Sequence, residues 1–74
     1  MNKDLLKHVR QIAGFTQREL AGKVGVHHSL ICKIEKGVIP VQPVTEQKIY
    51  KAFSEAGISE QEIASLYLFL EGRK

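Results

Sequence analysis

One cysteine, two prolines and no long apolar run set the first limits on this chain of 74 residues. A single thiol, Cys32, cannot form an intramolecular disulfide, and a free thiol suits a reducing compartment. The longest apolar stretch, Leu66 to Leu70, is far too short to span a bilayer. No secretory signal opens the sequence, so a cytoplasmic location is expected and no membrane association. Strand-like alternation, internal repeats and low-complexity tracts are missing as well. No acid pair, no nucleophile beside a base and no phosphate-binding loop occurs at workable spacing. So short a chain also has little room for an enzymatic cleft, and no catalysis is expected.

What remains is enough for one small domain. Hydrophobic residues make up 43% of the chain and charged residues 26%, a balance that favours a packed fold over disorder. The net charge of +3 is unevenly spread. Met1 to Phe53 holds nine Lys or Arg against four Asp or Glu, whereas Ser54 to Lys74 holds two against four. A basic front and a mildly acidic back suggest a polyanionic partner for the front. The plain alternative is that many soluble domains are mildly basic.

The apolar spacing predicts five short helices. The first, Lys3 to Ala13, carries Leu5, Leu6, Val9, Ile12 and Ala13 on its core side, with Asn2 or Asp4 as cap and Gly14 as stop. The second, Gln17 to Val24, has Leu20, Ala21 and Val24 as its stripe. Thr16 and Glu19 form its capping box, and Gly25 supplies the positive φ of a tight turn. The third runs from His28 to about Lys36 and ends at Gly37. Both prolines fall between Val38 and Pro43, which reads as a loop. The fourth spans about Val44 to Ala56, with Ile49, Ala52 and Phe53 inward, Val44 or Thr45 near its start, and Gly57 as stop. The fifth covers residues 59–71. Ser59 and Glu62 form its capping box, Ile63, Leu66, Tyr67 and Leu70 form its stripe, and Gly72 ends it. The expectation is an all-α, compact five-helix domain spanning residues 1–74.

The segment from Thr16 to Gly37 is the informative part. Helix, glycine turn and helix follow one another at the spacing of a helix-turn-helix. Ala21 is small where two helices must cross closely, Val26 plugs the turn, and Ile31 and Ile34 anchor the second helix from below. The opposite face then carries His28, Ser29, Cys32, Lys33 and Lys36. Hydrogen-bonding side chains near a helix N-terminus, flanked by cations and amides, suit a helix lying in a DNA major groove.

The run Phe15-Thr-Gln-Arg-Glu-Leu-Ala-Gly-Lys-Val-Gly-Val26, followed by Ile31-Cys-Lys-Ile-Glu-Lys-Gly37, resembles the phage repressor and Cro type of helix-turn-helix regulator, the xenobiotic-response-element family. The likeness extends from Leu6 to Phe53. It implies a lambda-repressor-like fold of five helices, a homodimer on a palindromic stretch of double-stranded DNA, and a role in transcriptional control, most simply repression. On the matching positions it implies base contacts from His28, Ser29 and Lys33, with Cys32 on the same face. It implies phosphate contacts from Gln17, with Arg18, His27 and Lys36 as further candidates, and a structural ion pair between Arg10 and Glu35. The sequence departs from the family at His27, Leu30 and Cys32, where small polar residues are more usual. Such a regulator would be bacterial or phage-encoded.

Two further readings concern the reading face and the last helix. His28 and Cys32 lie four residues apart, but two ligands do not make a metal site, and no metal or other cofactor is expected. Leu66, Tyr67, Leu68, Phe69 and Leu70 make the fifth helix more apolar than one buried stripe requires, which points to a dimer seam at its C-terminal half. A different class of function, an antitoxin or adaptor-type protein-interaction module with an unidentified protein partner, would use the same fold.

Overall fold

The computed structural model describes residues 1–72 and contains α1 (Lys3–Ala13), α2 (Gln17–Val24), α3 (His28–Glu35), α4 (Pro43–Glu55) and α5 (Glu60–Gly72). No strand occurs among the described residues, so the domain is all-α, with five helices and short connections. Arg73 and Lys74, the two cations of the acidic back, lie outside the described residues.

Local chemistry explains where the helices start. Asn2, not Asp4, caps α1, its Oδ1 accepting the N–H of Asp4 at 2.6 Å and of Leu5 at 3.4 Å. The fourth helix begins at Pro43 rather than near Val44. Proline is the first helical residue there, a position whose N–H has no intrahelical partner to lose. The loop is therefore shorter than its two prolines suggest. At the start of α5, Ser59 Oγ accepts the N–H of Glu62 at 3.2 Å. That helix includes Gly72 instead of ending before it, and Gly72 is not among the glycines with positive φ.

Each helix contributes to one core. Leu6, Val9, Leu20, Ile31, Ile49 and Phe53 are fully enclosed, with Leu5, Ala21, Val24, Ile34, Ala52, Ile58 and Ile63 nearly so. Helix α1 is the hub, packing on α3, α4 and α5, while α2 packs on α3 and α4. Burying a core of this kind is the main term holding so small a domain together.

Several expected core positions are not fully buried. Ile12 shares a face with Leu5 and Val9 yet is 58% exposed, so the core ends one turn before α1 does. Val44, at the start of α4, is also exposed, and Thr45 is half-buried. In α5 only Ile63 is buried. Leu66 and Leu70 are half-buried and Tyr67 is 41% exposed, because no further helix covers that side. Ile58, not anticipated, fills the core from the α4–α5 turn. Its N–H donates to Phe53 O at 2.9 Å, and the N–H of Gly57 donates to Ser54 O at 3.0 Å. That double bond pattern brings the residue after the glycine back onto the helix it terminates. The sequence signal was Gly57 followed by an apolar residue.

Candidate nucleic-acid interface

Short-range bonds fix α2, the turn and α3. Thr16 Oγ1 accepts the N–H of Glu19 at 3.0 Å, and Glu19 Oε1 accepts the N–H of Thr16 at 2.9 Å, so both halves of the capping box form. The Thr16 N–H, and after it the Thr16 side chain, hold the Glu19 carboxyl below its ordinary range, with a smaller contribution from Lys23. Gly25 takes φ +86°, and the N–H groups of Gly25 and Val26 both donate to Ala21 O, at 2.8 and 3.0 Å. A side chain at position 25 would be strained in that conformation. Val26 then turns inward against the core.

Helix α3 buries Ile31 and Ile34, and Leu30 packs partly against the same core. Of the five residues expected on its other face, Ser29, Lys33 and Lys36 are exposed, and His28 and Cys32 are half-buried. Lys36 is the C-cap of the helix. Arg18 is exposed on α2, close enough to His28 to act on its charge. Partial desolvation, then Arg18 and His27, hold the His28 imidazole below its usual value.

A clamp sets the orientation of α3 from its buried side. Arg10 Nε donates to Glu35 Oε2 at 2.7 Å, and Arg10 Nη2 donates to Glu35 Oε1 at 3.1 Å. The two side chains are 12% and 5% exposed. Arg10 Nη1 reaches Phe15 O at 2.9 Å, and Gln17 Nε2 donates to Glu35 Oε1 at 3.1 Å. One carboxylate thus joins α1, α2 and α3, in the two-pronged geometry in which guanidinium and carboxylate pair most strongly. Gln17 keeps its second amide hydrogen and its backbone N–H, at the positive start of α2, for any further contact. The ordering of Gln17 by Glu35 has no local signature, since the two residues are eighteen apart in sequence.

His27 is the side chain whose place the sequence did not reveal. It is the N-cap of α3: its Nδ1 accepts the N–H of Ser29 at 3.2 Å and lies 2.9 Å from Ser29 Oγ. Histidine is not among the usual N-caps, so nothing in its residue type announced the role. The His27 and His28 rings lie 4.4 Å apart, tilted by 32°.

At the other end of the domain, an open groove of about 740 Å³ is lined by Leu5, Tyr50, Ile63, Ala64, Tyr67 and Leu68, with Glu46 and Glu60 beside them. The exposed part of α5 continues it. Tyr67, Leu68 and Phe69 are 41%, 70% and 63% exposed. No helix is long and apolar enough to cross a membrane among the described residues.

These features agree with a family profile described as a helix-turn-helix domain, which matches residues 4–52. The matched segment takes in α1, the capped α2, the turn, α3 and most of α4, and leaves α5 outside. No curated protein and no solved structure matches the chain. With two thirds of its length inside the match, and with the capped helix, the glycine turn and the clamped outward-facing helix in place, the chain belongs to the helix-turn-helix domain family.

Proposed function

We propose that the protein is a sequence-specific DNA-binding regulator of transcription, of the repressor and Cro type. The observation that carries this reading is the division of α3. Ile31 and Ile34 are buried and Glu35 is clamped to Arg10, while Ser29, Lys33 and Lys36 stand exposed on the other side. A helix held in this way offers its outer face to a major groove. His28, Ser29 and Lys33, with Cys32 among them, read base edges. Arg18, His27, Lys36 and the start of α2 at Gln17 hold phosphates.

Two copies associate through Leu66, Tyr67, Leu68, Phe69 and Leu70 and place their third helices in successive major grooves, about 34 Å apart, on a palindromic site. The exposure of Tyr67, Leu68 and Phe69 supports this seam. Repression follows from occupancy of the site, and the reading includes no catalytic step.

Selection of bound DNA from a random duplex pool tests the proposal, followed by affinity measurements over a range of salt. A palindromic consensus is expected, with affinity falling linearly in log–log coordinates as salt rises. Lys33→Ala changes the preferred base at one position in each half-site, and Lys36→Ala weakens all sites alike. Absence of any salt-dependent binding to duplex DNA would overturn the reading in favour of a protein-interaction module.

A further inference from the structure

The N-cap of α3 fixes the direction of two hydrogen bonds on the face proposed to read DNA. A backbone N–H can only donate, so its bond from Ser29 to His27 Nδ1 at 3.2 Å requires an unprotonated Nδ1. A neutral imidazole has one N–H, which then sits on Nε2. The second contact follows from the first. Ser29 Oγ lies 2.9 Å from the same nitrogen, which has no hydrogen to give, so the hydroxyl must be the donor. Ser29 has one hydroxyl hydrogen, and His27 holds it. What the serine has left to offer outward is lone pairs alone.

We infer that His27 makes Ser29 a hydrogen-bond acceptor on the reading face, so that Ser29 selects adenine and cytosine, whose amino groups face the major groove, over guanine and thymine on the strand it meets. In the major groove, adenine presents N6–H₂ and cytosine N4–H₂, whereas guanine O6 and thymine O4 are acceptors and would face the serine oxygen with no hydrogen between them. The same logic gives His27 a single outward function, donation from Nε2–H, which suits a phosphate oxygen. His27 is thus a positioning residue for specificity, acting through Ser29. Both side chains are exposed, and neither belongs to the core or to the Arg10–Glu35 clamp. A free serine hydroxyl rotates and reads donors and acceptors alike; this one is polarised by its neighbour.

This inference rests on the DNA-binding reading above, and its test separates the two. Bound duplexes are selected from a random pool at pH 8 with the wild type, Ser29→Ala and His27→Ala, and each variant's helicity is checked by circular dichroism. The half-site position whose preference flattens in Ser29→Ala is the one Ser29 reads. In the wild type that position is expected to favour adenine or cytosine by about tenfold, the usual scale for one mismatched pair. His27→Ala keeps the serine but frees its hydroxyl, so the preference there should fall to near parity while the other positions stay as they were. Guanine or thymine at the Ser29 position in the wild type would overturn the inference. So would an unchanged adenine or cytosine preference in His27→Ala, or a consensus with no Ser29-dependent position. Failure of the wild type to select any duplex would instead overturn the regulator reading itself.

Discussion

The helix-turn-helix and α5 use their apolar residues in opposite ways. Helices α2 and α3 bury Leu20, Ala21, Val24, Ile31 and Ile34, and their outer faces are polar. Helix α5 carries Ile63, Leu66, Tyr67, Leu68, Phe69 and Leu70 and buries only the first. The carboxylates of the two regions follow the same division. Glu35 is enclosed and takes three hydrogen bonds from Arg10 and Gln17, whereas Glu60 and Glu62 at the start of α5 are exposed. The first region is finished within one copy of the chain. In the second, apolar content exceeds what one copy covers. An apolar stripe therefore states what a helix is able to bury, and its surroundings decide how much of it is buried.

The strongest challenge to this contrast is Glu35→Ala. It leaves the Arg10 guanidinium half-enclosed without its carboxylate and should cost about 3–5 kcal/mol of unfolding free energy. Denaturant melts check this, and a loss under about 1 kcal/mol would show that the clamp behaves as a solvated surface pair. Ile63→Ala comes next, at about 2–5 kcal/mol, since this residue is the one deep anchor of α5. An effect as small as that of an exposed position would mean that the helix is held by something else. Thr16→Ala removes one half of the capping box and should cost about 1 kcal/mol. Leu68→Ala lies at the other extreme. It is 70% exposed, so its effect on the isolated copy should stay within about 0.5 kcal/mol. It should nonetheless weaken self-association in sedimentation runs, and an unchanged association constant would remove Leu68 from the proposed seam.

A fifth test concerns charge rather than stability. The His28 imidazole sits below its usual value in the free protein, which favours its neutral form. In the proposed complex with DNA, neighbouring phosphates would favour its cationic form and raise its value. Binding then takes up a proton, and affinity should rise as pH falls below about 6.5. Comparing pH 8 to 5.5 (roughly the imidazole range) in wild type and His28→Gln isolates this residue. Equal slopes in the two proteins would mean that His28 does not charge against DNA.

What could be read from the sequence was chemistry carried by near neighbours. Thr16 and Glu19 are three apart, Gly25 announces a positive φ, and the stripe of Ile31 and Ile34 turns one face of α3 inward. The bounds of α1 and α2 follow from such signals. The exposure of Ile12 and Tyr67 was not readable in this way, because it depends on where the opposite packing surface ends. Nor was the engagement of Gln17 by Glu35, which only the crossing of α2 and α3 brings about. His27 illustrates a third kind of gap. The sequence offers it only as a phosphate-contact candidate, whereas its ring nitrogen does a job that sequence rules reserve for Ser, Thr, Asp or Asn.

The clamp on Glu35 has a consequence for how such a domain can be reprogrammed. It holds α3 from behind, through Arg10, Phe15 and Gln17, and takes nothing from positions 28, 29, 32 or 33. The core omits those four positions too. On the DNA-binding proposal, aim and vocabulary are therefore stored in separate sets of residues. New side chains at these four positions would then meet DNA from the same pose, and libraries confined to them could search target sequences without first having to search for a fold.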